Sequence, residues 1–157
     1  MRINSLVVVL GFLLFVGPAM ASLADAPKGF RDFVWGAAPT KELKKIPVPS
    51  SGDIAVYQPR PGKTLPPLFK VPVAEEAYSF SNGKFFRGNA WVDGKENFEK
   101  IKAALVKQYG QASMTDERKN FRMWKWPDSS VEVRLAYDEK FSRATVTYVN
   151  PGLTAPK

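Results

Sequence analysis

The chain has 157 residues, 45% of them apolar, and 23 lysines and arginines stand against 15 aspartates and glutamates, a net charge of +8. It contains neither cysteine nor histidine. That excludes disulfides, a lipidated amino-terminal cysteine, the usual zinc, copper and iron ligands, and every Ser-His or Cys-His nucleophile pair.

Residues 1–21 have the pattern of a cleaved secretory leader. Arg2 precedes an apolar run from Leu6 to Val16, then Pro18, then Ala19-Met20-Ala21 with small residues where a signal peptidase reads. The run is too short to span a bilayer, so cleavage after Ala21 is expected, with Ser22-Leu23-Ala24 as another cut site. An exported domain without disulfides points to a bacterial periplasm or the medium. Arg2 leaves with the leader, so 22 basic residues face 15 acidic ones, net +7. Such a balance suits anionic partners. Export argues against nucleic acid and for an anionic envelope lipid or polymer, with peripheral contact at a membrane surface, or for an acidic protein.

Residues 22–29 read as a loose lead, 30–150 as one domain and 151–157 as a loose tail. Within the domain, Phe30 to Gly36 is an aromatic segment stopped by glycine. Pro39 suits a first helical turn. Leu43 and Ile46, three apart, predict a short helix ending before Pro47. Residues 47–72 hold Pro47, Pro49, Pro59, Pro61, Pro66, Pro67 and Pro72. Proline removes backbone donors, so this stretch reads as a crossover in which only Ile54 to Tyr57 can pair, at a sheet edge.

Asn82-Gly83 then predicts a tight type I′ hairpin, its second arm running to Val92. By parity Tyr78, Phe80, Phe85 and Trp91 share one side, and Phe86, Ala90 and Val92 the other. A helix follows: Asp93 and Glu96 have capping-box spacing, Phe98, Ile101, Ala104, Leu105 and Tyr109 form an apolar stripe, and Gly110 ends it. Three strands close the domain: Phe121 to Trp126, Ser130 to Tyr137, and Ser142 to Val149. The order predicts an α+β domain of two pseudo-repeated halves, 30–92 and 93–150, each a helix followed by about three antiparallel strands.

Trp35-Gly36 before a helix, the Asn82-Gly83 hairpin, Asn97-Phe98 with Leu105 and Tyr109-Gly110, and the tryptophan-bearing meander resemble a group of small exported bacterial proteins of unknown function. The helix-plus-sheet repeat is similar to the fold of β-lactamase inhibitor proteins and of small outer-membrane assembly lipoproteins. Without cysteine, neither the disulfides nor the lipid anchor of those families carries over; the resemblance implies a fold and no functional residues.

Catalytic patterns are thin. Gly62-Lys63-Thr64 lacks the earlier glycine, strand and helix of a phosphate loop. Ser81 and Lys84 straddle a hairpin turn, not a helix start. The pairs Glu75-Glu76, Asp116-Glu117 and Asp138-Glu139 read as surface charge. Arg122, Trp124 and Trp126 suit stacking or partner anchoring. An even-length turn after Trp126 would instead bury both tryptophans beside Val131, Val133 and Leu135, and its four-residue version sets Lys125 opposite Glu132. Arg60, Lys63 and Lys70 on the proline segment complete the candidate contact surface. The expectation is a non-enzymatic envelope binding protein without cofactor or metal. The alternatives are a secreted enzyme inhibitor with aromatics exposed on a sheet face, and a carboxylate-based hydrolase, which requires two acids facing one cleft.

Overall fold

A computed structural model describes residues 24–48 and 52–154. The leader over residues 1–21, Pro49 of the proline segment, and residues 155–157 of the tail lie outside the described residues. In chain order the elements are β1 (Gly29–Phe30), β2 (Phe33–Val34), β3 (Leu43–Ile46), β4 (Ile54–Pro59), β5 (Glu75–Ser81), β6 (Lys84–Asp93), α1 (Lys95–Tyr109), β7 (Met114–Asp116), β8 (Phe121–Lys125), β9 (Glu132–Asp138) and β10 (Arg143–Val149).

Eight of the strands build one antiparallel sheet in the order β3-β4-β5-β6-β10-β9-β8-β7. It consists of two four-stranded meanders, β3 to β6 and β7 to β10, joined where β6 pairs with β10. The expected pair of halves, each with its own helix, is not what the chain builds: the described residues are mostly antiparallel sheet with a single α-helix. The reason lies at residues 43–46. A four-residue helix cannot meet its own nucleation cost, whereas the edge of β4 offers backbone partners, so Leu43 pairs with Pro59 and Ile46 with Val56. The Ile54 segment is therefore one strand in from the edge, and Pro47 stops β3 where no further neighbour needs a donor.

One face of the sheet is covered. Over β6, β10 and β9 lies α1, whose Phe98, Ile101, Leu105 and Tyr109 are buried. Its start differs from expectation: Gly94, at φ 90°, is the cap and no side chain caps the helix. The Asp93 carboxylate instead takes the Arg143 guanidinium at 2.8 Å. Gly110 closes the helix at φ 82°, its N–H donating to the Val106 carbonyl.

Over the other part of this face the residues before β3 supply the cover. The β1–β2 hairpin sets Phe30 against Tyr78 and Tyr148, and Phe33 against Tyr78, Phe80 and Phe85. Trp35 stacks on Phe85 at 12°. The lead is not loose in its described part. Ala24 and Pro27 accept from the indoles of Trp126 and Trp35 through their carbonyls. Nor is the start of the tail, where Pro151–Leu153 form a 3-10 turn.

A β-bulge decides what the opposite face displays. Ser79 pairs with Arg87 but Phe80 with Phe85, leaving Phe86 as an extra residue. One inserted residue reverses the alternation along a strand. Phe85 therefore joins Tyr78 and Phe80 on the covered face, together with Ala90 and Val92, and Trp91 turns to the other side. The groups freed by the bulge are used: Phe85 exchanges backbone hydrogen bonds with Gly36 and Ala37, and the Phe86 carbonyl accepts from Asn150.

Candidate functional site

The six candidate contact residues do not form one surface. Trp124 is fully buried and Trp126 is 6% exposed, so neither presents a ring for stacking. β8 and β9 put Lys125 opposite Glu132 and Trp124 opposite Val133, which leaves the even-length connection 126–131 and turns both tryptophans into the core. Their indole N–H groups donate to the carbonyls of Gly110 and Ala24. Arg122 is largely covered and pairs with Glu117 at 2.6 Å. The proline segment lies between β4 and β5, on the far side of the sheet from β8. There Arg60 donates to the Lys41 carbonyl and Lys63 pairs with Glu42, while Lys70 is exposed at a tight turn between Leu68 and Val71.

Beneath this segment lies a buried charged group built on Glu76. Glu75-Glu76 is not a pair of surface charges: Glu76 is 3% exposed. Its Oε1 accepts from Nε and Nη2 of Arg31, at 2.7 and 2.5 Å, and its Oε2 from the Tyr78 hydroxyl at 2.7 Å. Arg31 also donates to the carbonyls of Pro66 and Pro67. The signal was present, since Glu76 has the strand parity of Tyr78 and Phe80, both core residues. Burial, then the hydrogen bond to Glu76, pushes the Tyr78 hydroxyl far above the ordinary tyrosine value. A cleft of about 670 Å³ opens beside the group, with Phe33, Leu43, Leu65 and Pro66 among its walls. Both Glu76 oxygens are already engaged, so the arrangement clamps the proline crossover onto the sheet.

The opposite face, which neither α1 nor the β1–β2 hairpin covers, has a different character. Register places its side chains in rows across the strands: Ser79, Arg87, Val149 and Glu132; then Ala77, Asn89, Thr147, Arg134 and Met123; then Glu75, Trp91, Thr145, Ala136 and Phe121. Small and polar side chains fill the middle, and Thr147 donates to Asn89 Oδ1 at 2.8 Å. Arg134 pairs with Glu132. Arg87 is exposed and has no carboxylate partner among the described residues. Burial of its stem, then repulsion from the Arg134 guanidinium, lowers the Arg87 pKa. Two guanidinium groups thus compete for counter-charge on one open surface.

Trp91 stands two rows away. Of the four tryptophans it alone has no hydrogen-bond partner for its indole N–H among the described residues; the other three donate to backbone carbonyls. It is half-buried and, with the exposed Phe141, lines a cleft of about 500 Å³ that also holds Glu75, Asp138, Arg143 and Thr145. Indole N–H groups are normally satisfied when a tryptophan packs structurally, so an unpartnered one on an open face is available to a ligand. No family model matches the chain, and neither does any curated protein or solved structure.

Proposed function

We propose that the protein is a non-enzymatic binding protein of the bacterial envelope, exported to the periplasm or medium, whose open sheet face holds an anionic partner. The observation that carries this reading is Arg87, a cation without a carboxylate partner among the described residues, two strands from Arg134 on a sheet face that no described helix covers. Juxtaposed like charges raise each other's energy, and an anion bridging them relieves that cost and gains charge-assisted hydrogen bonds. The contact surface moves accordingly from the proline segment to the sheet. Arg60 and Lys63 have partners within the protein, and the segment's role is to seal the other face. Catalysis is not part of this reading, because the most buried carboxylate, Glu76, has both oxygens engaged internally.

The test is adsorption of the purified protein to anionic and neutral matrices at low and high salt, with an Arg87→Ala, Arg134→Ala variant beside a Lys63→Ala, Lys70→Ala variant. Retention on the anionic matrix that is reversed by salt and lost with the arginines is expected. Equal retention by both matrices, or loss with the lysines alone, refutes it. The leader is tested separately by fractionating cells that express the full chain and sequencing the processed terminus, which should begin at Ser22.

A second reading, a secreted inhibitor that covers an enzyme's site, draws on Trp91, an accessible aromatic ring on a bare sheet face. It requires a stoichiometric complex with a protein, which size-exclusion chromatography of an envelope extract with added protein would reveal.

A further inference from the structure

The open face is not uniformly cationic, and its polarity narrows the class of partner. Along β6 the side chains of Arg87, Asn89 and Trp91 project from the same side, and two steps of two residues separate the Cα atoms of Arg87 and Trp91 by roughly 13 Å. At the Trp91 end carboxylates outnumber cations: Glu75 and Asp138 line the cleft with Arg143, which is held between Glu75, at 2.9 Å, and Asp93, at 2.8 Å. Those acids repel an anion there but accept hydrogen bonds from hydroxyl groups. The middle of the path, Asn89 and Thr147, offers further amide and hydroxyl partners, with Arg134 in the same row. At the Arg87 end the Arg87 guanidinium stands one row from that of Arg134, and the one carboxylate there, Glu132, is already held by Arg134 and Lys125.

A ligand that matches this order has a ring with an apolar face and many hydroxyls at one end and a negative charge at the other. We infer that the anionic partner is an acidic polysaccharide, a sugar ring lying on Trp91 between the Glu75 and Asp138 acceptors and the anionic groups of the chain reaching Arg87 and Arg134. This rests on the anion-binding reading and adds the sugar to it. A lipid surface would engage the arginines, but the Glu75 and Asp138 carboxylates beside Trp91 would repel its anionic headgroups. An acidic peptide would meet those same carboxylates as repulsion.

The experiment measures binding of the purified protein to four probes at low salt: polygalacturonate, neutral dextran, polyglutamate, and phosphatidylglycerol vesicles. Polygalacturonate should bind tightest. Trp91→Ala should weaken that binding by about tenfold, the size of one lost ring-stacking contact, and Trp91→Phe should restore most of it. An Arg87→Ala, Arg134→Ala variant should abolish the salt dependence. An unchanged far-ultraviolet circular dichroism spectrum in each variant confirms that the fold is retained. Polyglutamate or vesicles binding as well as polygalacturonate, with Trp91→Ala indifferent, would overturn the sugar inference and leave anion binding intact. Failure of all anionic probes to bind would overturn the reading beneath it.

Discussion

Arg31 and Glu76 stand 45 residues apart in the chain, yet the guanidinium reaches the buried carboxylate with two of its nitrogens, at 2.7 and 2.5 Å. The same guanidinium holds the carbonyls of Pro66 and Pro67. One side chain therefore ties three segments together: the β1–β2 turn, a strand of the sheet, and the proline crossover. Arg31→Ala should cost about 3–5 kcal/mol, because it strands a charge in the core. Arg31→Lys should recover little of this, since an ammonium cannot span a carboxylate and two carbonyls in a planar fork. Urea unfolding of both variants checks the ordering; equal stability of wild type and Arg31→Ala would show that the crossover is held by other contacts.

Tyr78 and Tyr148 give the protein an alkaline limit. Burial raises both hydroxyls above their ordinary value, aided by Glu76 at Tyr78 and by Tyr109 at Tyr148. The native state keeps these protons where the unfolded chain releases them. Their stabilisation is therefore complete below about pH 10 and is lost as pH rises beyond it, at about 1.4 kcal/mol per pH unit for each tyrosine. Chemical denaturation between pH 9 and 12 should show this slope, and Tyr78→Phe should reduce it by one tyrosine's share. An unaltered slope in that variant would contradict the assignment.

Gly88 leaves room for Phe30. A Cβ at Gly88 would lie 2.1 Å from the phenylalanine ring, so the ring fills the space where a side chain would stand. Gly88→Ala should destabilise by about 1–3 kcal/mol through overpacking. The same change in a Phe30→Ala background should cost much less. The double-mutant cycle measures the coupling; additive effects would mean that the hairpin docks by other contacts.

Arg87→Ala should leave the unfolding free energy within about 0.5 kcal/mol of wild type, as exposed substitutions usually do, or raise it slightly by removing repulsion from Arg134. Binding to an anionic polymer should fall in the same variant. A large loss of stability would instead give Arg87 a structural role.

Some elements follow from local chemistry and were legible in the chain. Asn82 and Gly83 adopt φ 48° and 75°, as a two-residue hairpin turn demands, and Gly110 ends α1 because glycine carries no penalty at positive φ. The stripe from Phe98 to Tyr109 and the alternation through Val133 and Leu135 specify a helix and a strand by periodicity alone. Cysteine and histidine are absent whatever the fold, so the chemistry they bring was excluded from the outset.

Tertiary structure decided the rest, and long-range pairing is the reason. Leu43 to Ile46 became a strand because β4 had an open edge, a fact no window of seven residues contains. Glu76 became a buried ion because Arg31 arrived from the amino-terminal hairpin. Trp91 faces outward because Phe86 bulges, and a shift of a single residue exchanges the two faces of a strand. The candidate site depends on that last step: the same residues in an unbulged strand would bury the tryptophan and leave no open row joining it to Arg87.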